Sequence, residues 1–174
     1  GKVVFGVVGD STFFHSGMTG AAEIVYNKGR MIPCVLDNRI TGMTGHQDNP
    51  GTGYTLQGDP TALLSVEKIL TALGFAPVLT VDPQDLKAMK AAVDQAVAAL
   101  DAGQQPAIVT RRPCLLIKRD KFRKGMCRVN ADKCRSCRSC LKVGCPAISL
   151  ENGKAVIDRT QCVGCTCLLY TSDA

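Results

Sequence analysis

Apolar and polar positions follow two rhythms along residues 1–110 of this 174-residue chain. Lys2 to Val8 is a short, nearly continuous apolar run, the pattern of a strand buried on both faces, and it stops abruptly at Gly9-Asp10-Ser11-Thr12. A helix is predicted from about Gly17 to Asn27 and a second buried strand from Met31 to Leu36. Asp37 to Gly58, rich in Gly, Thr, Asn and Asp, is expected to be a long loop. A helix is predicted from about Pro60 to Leu73, stopped by Gly74, and a third strand from Pro77 to Val81. Asp85 to Leu100 places Leu86, Met89, Val93, Ala96 and Leu100 on one face of an amphipathic helix, and Ala107 to Thr110 gives a fourth strand. Strands alternating with helices predict an α/β fold, a parallel sheet with helices on both faces.

Charge divides the chain. Residues 1–110 carry 7 basic and 10 acidic residues, a net of −3, whereas residues 111–174 carry 14 and 5, a net of +9. This change, with the length, predicts two domains, residues 1–118 and a small one over 119–174. The basic part has only Phe122 and Tyr170 as aromatics, too few to stack on bases, so nucleic-acid binding is not expected. The basic charge could steer an acidic redox partner or simply be a solvated surface. No apolar stretch could span a bilayer and no signal peptide pattern is present, so a cytoplasmic chain without membrane contact is expected.

The ten cysteines are clustered. Cys134, Cys137, Cys140 and Cys145-Pro146 nearly reproduce the Cys-x-x-Cys-x-x-Cys-x-x-x-Cys-Pro run of two-cluster bacterial ferredoxins, with four residues, Leu141 to Gly144, in the last gap. Cys162 and Cys165 begin a second group. In a chain of intracellular type, repeated Cys-x-x-Cys favours metal over disulfides. Cys134, Cys137, Cys162 and Cys165 could form a zinc ribbon, but that would leave Cys140 and Cys145-Pro146 unused. The spacing therefore predicts iron–sulfur ligands at Cys134, Cys137, Cys140, Cys145, Cys162 and Cys165. Cys34 and Cys114 lie in apolar runs and are expected to be inert core residues, and Cys127 could belong to either class.

In open parallel sheets ligands bind beyond the carboxyl ends of the strands. After the first strand, Gly9-Asp10-Ser11 offers a residue without a side chain, a hard carboxylate and a hydroxyl. After the second, Asp37-Asn38-Arg39-Ile40-Thr41 adds amide and carbonyl oxygens. Together they could bind a diphosphate and its magnesium, since magnesium takes few protein oxygens plus phosphates. Taken singly, Gly-Asp at a strand end is more often a plain turn and helix cap, and Asn38 more often a turn residue.

Gly9-Asp10-Ser11 with Asn38 nearly thirty residues on resembles the thiamine diphosphate motif. The strings GDSTFFHSG and LDNRITGMTGHQDNPGTG resemble the 2-oxoacid:ferredoxin oxidoreductases. A diphosphate domain followed directly by a two-cluster ferredoxin is similar to the large alpha subunits of the indolepyruvate type. The resemblance implies a thiamine diphosphate-binding α/β fold followed by a small α+β ferredoxin-like domain with up to two 4Fe-4S clusters. It implies oxidative decarboxylation of an aryl 2-oxoacid, with electrons passed singly through the clusters to external ferredoxin and the acyl group to coenzyme A. Pyruvate, 2-oxoglutarate or branched-chain substrates, and a nonenzymatic iron–sulfur or zinc module, are the competing readings.

By the same resemblance Asp10, Asn38 and the Ile40 carbonyl are magnesium ligands, and Gly9, Ser11 and Thr12 approach the diphosphate. His15 and His46 are either cofactor or substrate contacts or plain polar residues. An activating carboxylate is expected from a separate pyrimidine-binding domain, alongside a beta subunit, so the chain is expected to be a fragment. The second cysteine group lacks its third member, since position 168 is Leu168, and the residues after about Thr166 do not continue a ferredoxin. Neither cysteine set is expected to be complete, although Cys167 is one residue from the missing position.

Overall fold

The structure is a computed structural model that describes residues 2–117 and 125–170. Two compact units divide the chain, Gly1–Ile117 and Lys118–Ala174. Phe122, the predicted boundary at residues 118 and 119, and the tail beyond Tyr170 lie outside the described residues.

The first unit is a four-stranded sheet of β1 (Val4–Gly9), β2 (Met31–Asp37), β3 (Val78–Val81) and β4 (Ala107–Arg111), in the order β1-β2-β4-β3. Every neighbouring pair is parallel. Its helices are α1 (Asp10–Thr12), α2 (Met18–Tyr26), α3 (Val66–Ala72) and α4 (Leu86–Asp101). Alternation along the central strands sends side chains to opposite faces. Val35, Ala107 and Val109 meet Phe13, Phe14, Ala21, Val66 and Leu70 in one core. Ile32, Cys34 and Ile108 meet Ala92, Ala96 and Leu100 of α4 in the other. The predicted parallel sheet with helices on both faces is therefore present.

Three elements differ from their expectation. The first strand is not buried on both faces: β1 is an edge strand paired only with β2, and Val4, Phe5 and Val7 are 50%, 40% and 65% exposed. The first helix starts at Asp10 instead of Gly17, because α1 continues through a π-turn (Phe13–Gly17) into α2 with right-handed helical backbone at each junction. A π-turn rotates the buried face. This lets the adjacent Phe13 and Phe14, stacked edge-to-face at 5.8 Å, enter the same core as Ala21. The third helix starts at Val66, not Pro60, since Thr61 and Leu64 donate their N–H groups to the Gly53 and Pro50 carbonyls and hold the chain extended. Ser65 then caps α3 by accepting from the Lys68 N–H at 3.2 Å.

Asp85 caps α4 in the same way, through the Ala88 N–H at 2.9 Å. Met89, Val93, Ala96 and Leu100 pack on the sheet as the periodicity predicts, but Leu86, at the first helical position, is 59% exposed.

The second unit holds an antiparallel hairpin of β5 (Ile148–Glu151) and β6 (Lys154–Ile157), with 3-10 turns at Ser139–Val143 and Cys167–Tyr170. Asn152 and Gly153 both take positive φ, 49° and 79°, the left-handed pair that a two-residue hairpin turn requires. Among the described residues no helix is long and apolar enough to cross a membrane.

Candidate functional site

The register of β1 on β2, with Gly9 opposite Leu36, brings Asp10 and Asp37 together at the carboxyl end of the sheet. Both are buried, each 4% exposed. Asp37 is neutralised: Arg111 Nε donates to its Oδ2 at 2.7 Å, Arg39 Nε lies 3.5 Å away, and the Arg39 N–H donates to Oδ1 at 3.1 Å. Arg111 also reaches Glu67 at 2.5 Å, and Glu67 accepts from Ser65 Oγ at 2.7 Å and Thr80 Oγ1 at 3.2 Å. Burial pushes the Glu67 carboxyl upward, but hydrogen bonds from Arg111 and Ser65 outweigh it and hold its pKa at about 2.

Asp10 is treated differently. Its Oδ1 accepts from the Ser11 N–H at 2.7 Å, while Oδ2 is buried without a hydrogen-bond partner. Burial raises its pKa above the ordinary carboxylate value; the Ser11 N–H opposes this, the Asp37 carboxylate adds to it, and the Asn49 side chain and Arg39 N–H oppose it again. An unpaired, desolvated carboxylate oxygen at a strand end is unfavourable unless a cation meets it.

Gly9 ends β1 in extended backbone, and a Cβ built on it would meet nothing within 4 Å. Asn38 is exposed, and its Oδ1 accepts from the Ile40 N–H at 3.1 Å, a turn that fixes the Asn38–Ile40 segment. Ser11 is partly buried and Thr12 exposed on the opening turn of the helical segment. Gly9, Asp10, Ser11 and Thr12 thus follow β1, and Asn38 and Ile40 follow the adjacent β2. His15, in the π-turn, and His46, at φ 63°, are both exposed, and the structure gives neither a partner in this cradle.

Asn49 escaped the sequence reading. It is 8% exposed, acts on the Asp10 carboxylate, accepts from the Gly51 N–H at 2.9 Å and donates to Thr41 Oγ1 at 3.4 Å. A Cβ on Gly51 would sit 2.7 Å from the Phe14 ring, so this glycine permits the close approach that seats the Asn49 turn against the helix bearing Asp10. The only sequence signal was an Asn-Pro-Gly turn inside a long polar loop. Cys114 also departs from expectation: it lies beyond β4, half-buried, and its N–H donates to the Asn38 carbonyl at 2.9 Å, whereas Cys34 is a core residue.

In the second unit the cysteines fall into two environments. Main-chain N–H groups of Ala155 and Ser136 hydrogen-bond to the Cys134 sulfur and lower its pKa, and the Ser139 N–H and hydroxyl do the same for Cys137. Ser136 and Arg138 have left-handed backbone, which turns such N–H groups inward. Cys145, Cys162, Cys165, Cys167 and Cys127 instead line one cavity of about 230 Å³ whose remaining wall is mostly aliphatic. Cys134 and Cys137 are absent from that lining, so the four thiols of the zinc-ribbon alternative are not gathered. Among the described residues no three His, Cys, Asp or Glu side chains are close enough to hold a single ion.

A parallel sheet whose adjacent strand ends present Gly-Asp-Ser and Asp-Asn around a carboxylate oxygen without a hydrogen-bond partner is an α/β domain of the class that takes ligands beyond the carboxyl ends of its strands. The chain belongs to the thiamine pyrophosphate enzyme family, whose C-terminal TPP binding domain matches residues 1–110. Over nearly its whole length it is similar to indolepyruvate oxidoreductase subunit IorA. That of Pyrococcus horikoshii is 37% identical over 94% of this chain, that of Thermococcus kodakarensis 38% over 94%, and that of Archaeoglobus fulgidus 34% over 93%. The resemblance to the indolepyruvate type is thereby borne out. The chain spans 26% of the length of these relatives.

Proposed function

We propose that this chain carries the diphosphate-binding and electron-relay parts of a thiamine diphosphate-dependent 2-oxoacid:ferredoxin oxidoreductase of the indolepyruvate type. The observation that carries the reading is the buried Asp10 Oδ2, which has no hydrogen-bond partner, directly after Gly9, where a Cβ would meet nothing within 4 Å. Asp10, Asn38 Oδ1 and the Ile40 carbonyl would hold magnesium, and Gly9, Ser11 and Thr12 would receive the diphosphate through main-chain and hydroxyl donors. Thiamine diphosphate, when bound, supplies the carbanion and electron sink for decarboxylation. The chain's own task is to orient it: Asn49 steadies the Asp10 carboxylate, and the Arg111 bridge keeps Asp37 from competing for the cation.

In the second unit, Cys134, Cys137, Cys140, Cys145, Cys162 and Cys165 would ligate 4Fe-4S clusters that pass electrons singly to ferredoxin. The N–H bonds that favour the thiolates of Cys134 and Cys137 and the cysteine-lined cavity support this assignment. The substrate class we assign is an aryl 2-oxoacid such as indolepyruvate, with coenzyme A as acyl acceptor, a beta subunit as partner and a cytoplasmic location. The names of the relatives support the substrate and a partner subunit. Coenzyme A-dependent ferredoxin reduction by the complex of this chain's whole protein with its partner subunit, compared between indolepyruvate, pyruvate and 2-oxoglutarate, tests it. Indolepyruvate is expected to be preferred, and a preference for pyruvate would overturn the substrate assignment.

A further inference from the structure

The cysteine spacing leaves the set of Cys145, Cys162 and Cys165 one thiolate short, because position 168 holds Leu168. The structure places another sulfur there. Cys127, seven residues upstream of the ferredoxin-like run, lines the same cavity as Cys145, Cys162 and Cys165. Its thiol is hydrogen-bonded with the Cys162 thiol and receives the Thr166 N–H. Leu168 lines the cavity too, filling with carbon the place where a fourth sulfur is expected.

This approach is built into the backbone. Gly164, between Cys162 and Cys165, has φ 70°, and a Cβ there would collide with the Gly125 carbonyl. Two glycines in direct contact therefore bring the segment from Gly125 to Cys127 against the Cys162–Cys165 loop. Thr166, at φ 66°, then aims its N–H at the Cys127 sulfur, the same N–H to sulfur arrangement found at Cys134 and Cys137.

We infer that Cys127 is the fourth thiolate of the site formed by Cys145, Cys162 and Cys165, so that this chain completes one four-cysteine site with a residue outside the ferredoxin spacing. The inference rests on the iron–sulfur reading of the second unit proposed above. Four thiolates around an apolar cavity meet the demand of a 4Fe-4S cluster, which takes one sulfur at each iron. The site does not suit a lone zinc ion, which needs four sulfurs at about 2.3 Å from one point. Cys167, also on the cavity wall, is the competitor; it opens the 3-10 turn Cys167–Tyr170.

The test is anaerobic reconstitution of the full chain with ferrous iron and sulfide, read by iron and sulfide content, visible absorption and electron paramagnetic resonance after dithionite reduction. Cys127→Ala is expected to lose about four irons and four sulfides per chain relative to the parent, one cluster's worth. Cys167→Ala is expected to keep them, and Cys127→Ala/Leu168→Cys to regain them, which separates a missing ligand from a misfolded unit. Equal iron and sulfide in Cys127→Ala and the parent overturns the inference while leaving the iron–sulfur reading intact. A parent chain that takes up zinc and no iron with sulfide overturns both.

Discussion

Asp10 and Asp37 sit side by side at the ends of neighbouring parallel strands, equally buried, yet only Asp37 is balanced by arginine. The difference assigns them different work. Asp37 is tied into the fold through Arg111 and Arg39, and Asp10 keeps an oxygen without a hydrogen-bond partner, the one the proposed cation would meet.

Gly9→Ala separates space kept for a ligand from space needed for packing. No atom stands within 4 Å of the added Cβ and the φ of −71° suits alanine, so the apo chain should unfold within ~0.5 kcal/mol of the parent. Thiamine diphosphate affinity in magnesium should fall at least about tenfold, equivalent to ~1.4 kcal/mol. Urea denaturation and calorimetric titration of the same preparation check both halves.

Asp10 costs the empty protein stability at neutral pH. Its carboxyl has a raised pKa in the folded state, so the folded chain holds the proton more tightly, and stability falls as pH rises from 3.8 through the folded value. Asp10→Asn should therefore unfold at higher urea than the parent at pH 7, with the advantage shrinking toward pH 4. Paired urea curves across that range check it, and an advantage that stays constant with pH contradicts it.

Glu67 has the opposite sign. Its folded pKa of about 2 lies below the ordinary 4.5, so its contribution is fully present above pH 4.5 and is lost as pH falls toward 2. The drop in unfolding free energy between pH 4.5 and 2 should be smaller in Glu67→Gln than in the parent, as followed by circular dichroism in urea.

Arg111→Met removes the cation shared by Asp37 and Glu67 and leaves a buried carboxylate with only the more distant Arg39. Breaking such a pair from one side should cost about 3 kcal/mol. Denaturant unfolding of the apo chain at pH 7 measures it, and the acid-sensitive component assigned to Glu67 should shrink in the same variant, with the Ser65 hydrogen bond sustaining the remainder.

Much of the first unit was legible because short apolar runs and the Met89-Val93-Ala96-Leu100 face are local patterns that the packing preserves. The edge position of β1 was not, since an apolar run looks alike whether or not a neighbour covers it. The early start of the first helix was hidden by the π-turn, which breaks the 3.6-residue period where Phe13 and Phe14 are adjacent. Gly9, Asp10, Ser11 and Asn38 could be picked out because short stretches bring them to strand ends. Asn49 could not, and for Cys127 the spacing leaves core and ligand roles open, because each reaches its place through a distant backbone contact, Gly51 on Phe14 in one case and Gly164 on Gly125 in the other.

Calorimetric titration of thiamine diphosphate into the anaerobically prepared chain, with and without magnesium, tests the central claim most directly when run beside Asp10→Asn. Saturable binding that requires magnesium and is lost in Asp10→Asn is the predicted result. Absence of binding in the folded parent chain, or binding that Asp10→Asn leaves unchanged, would contradict the account.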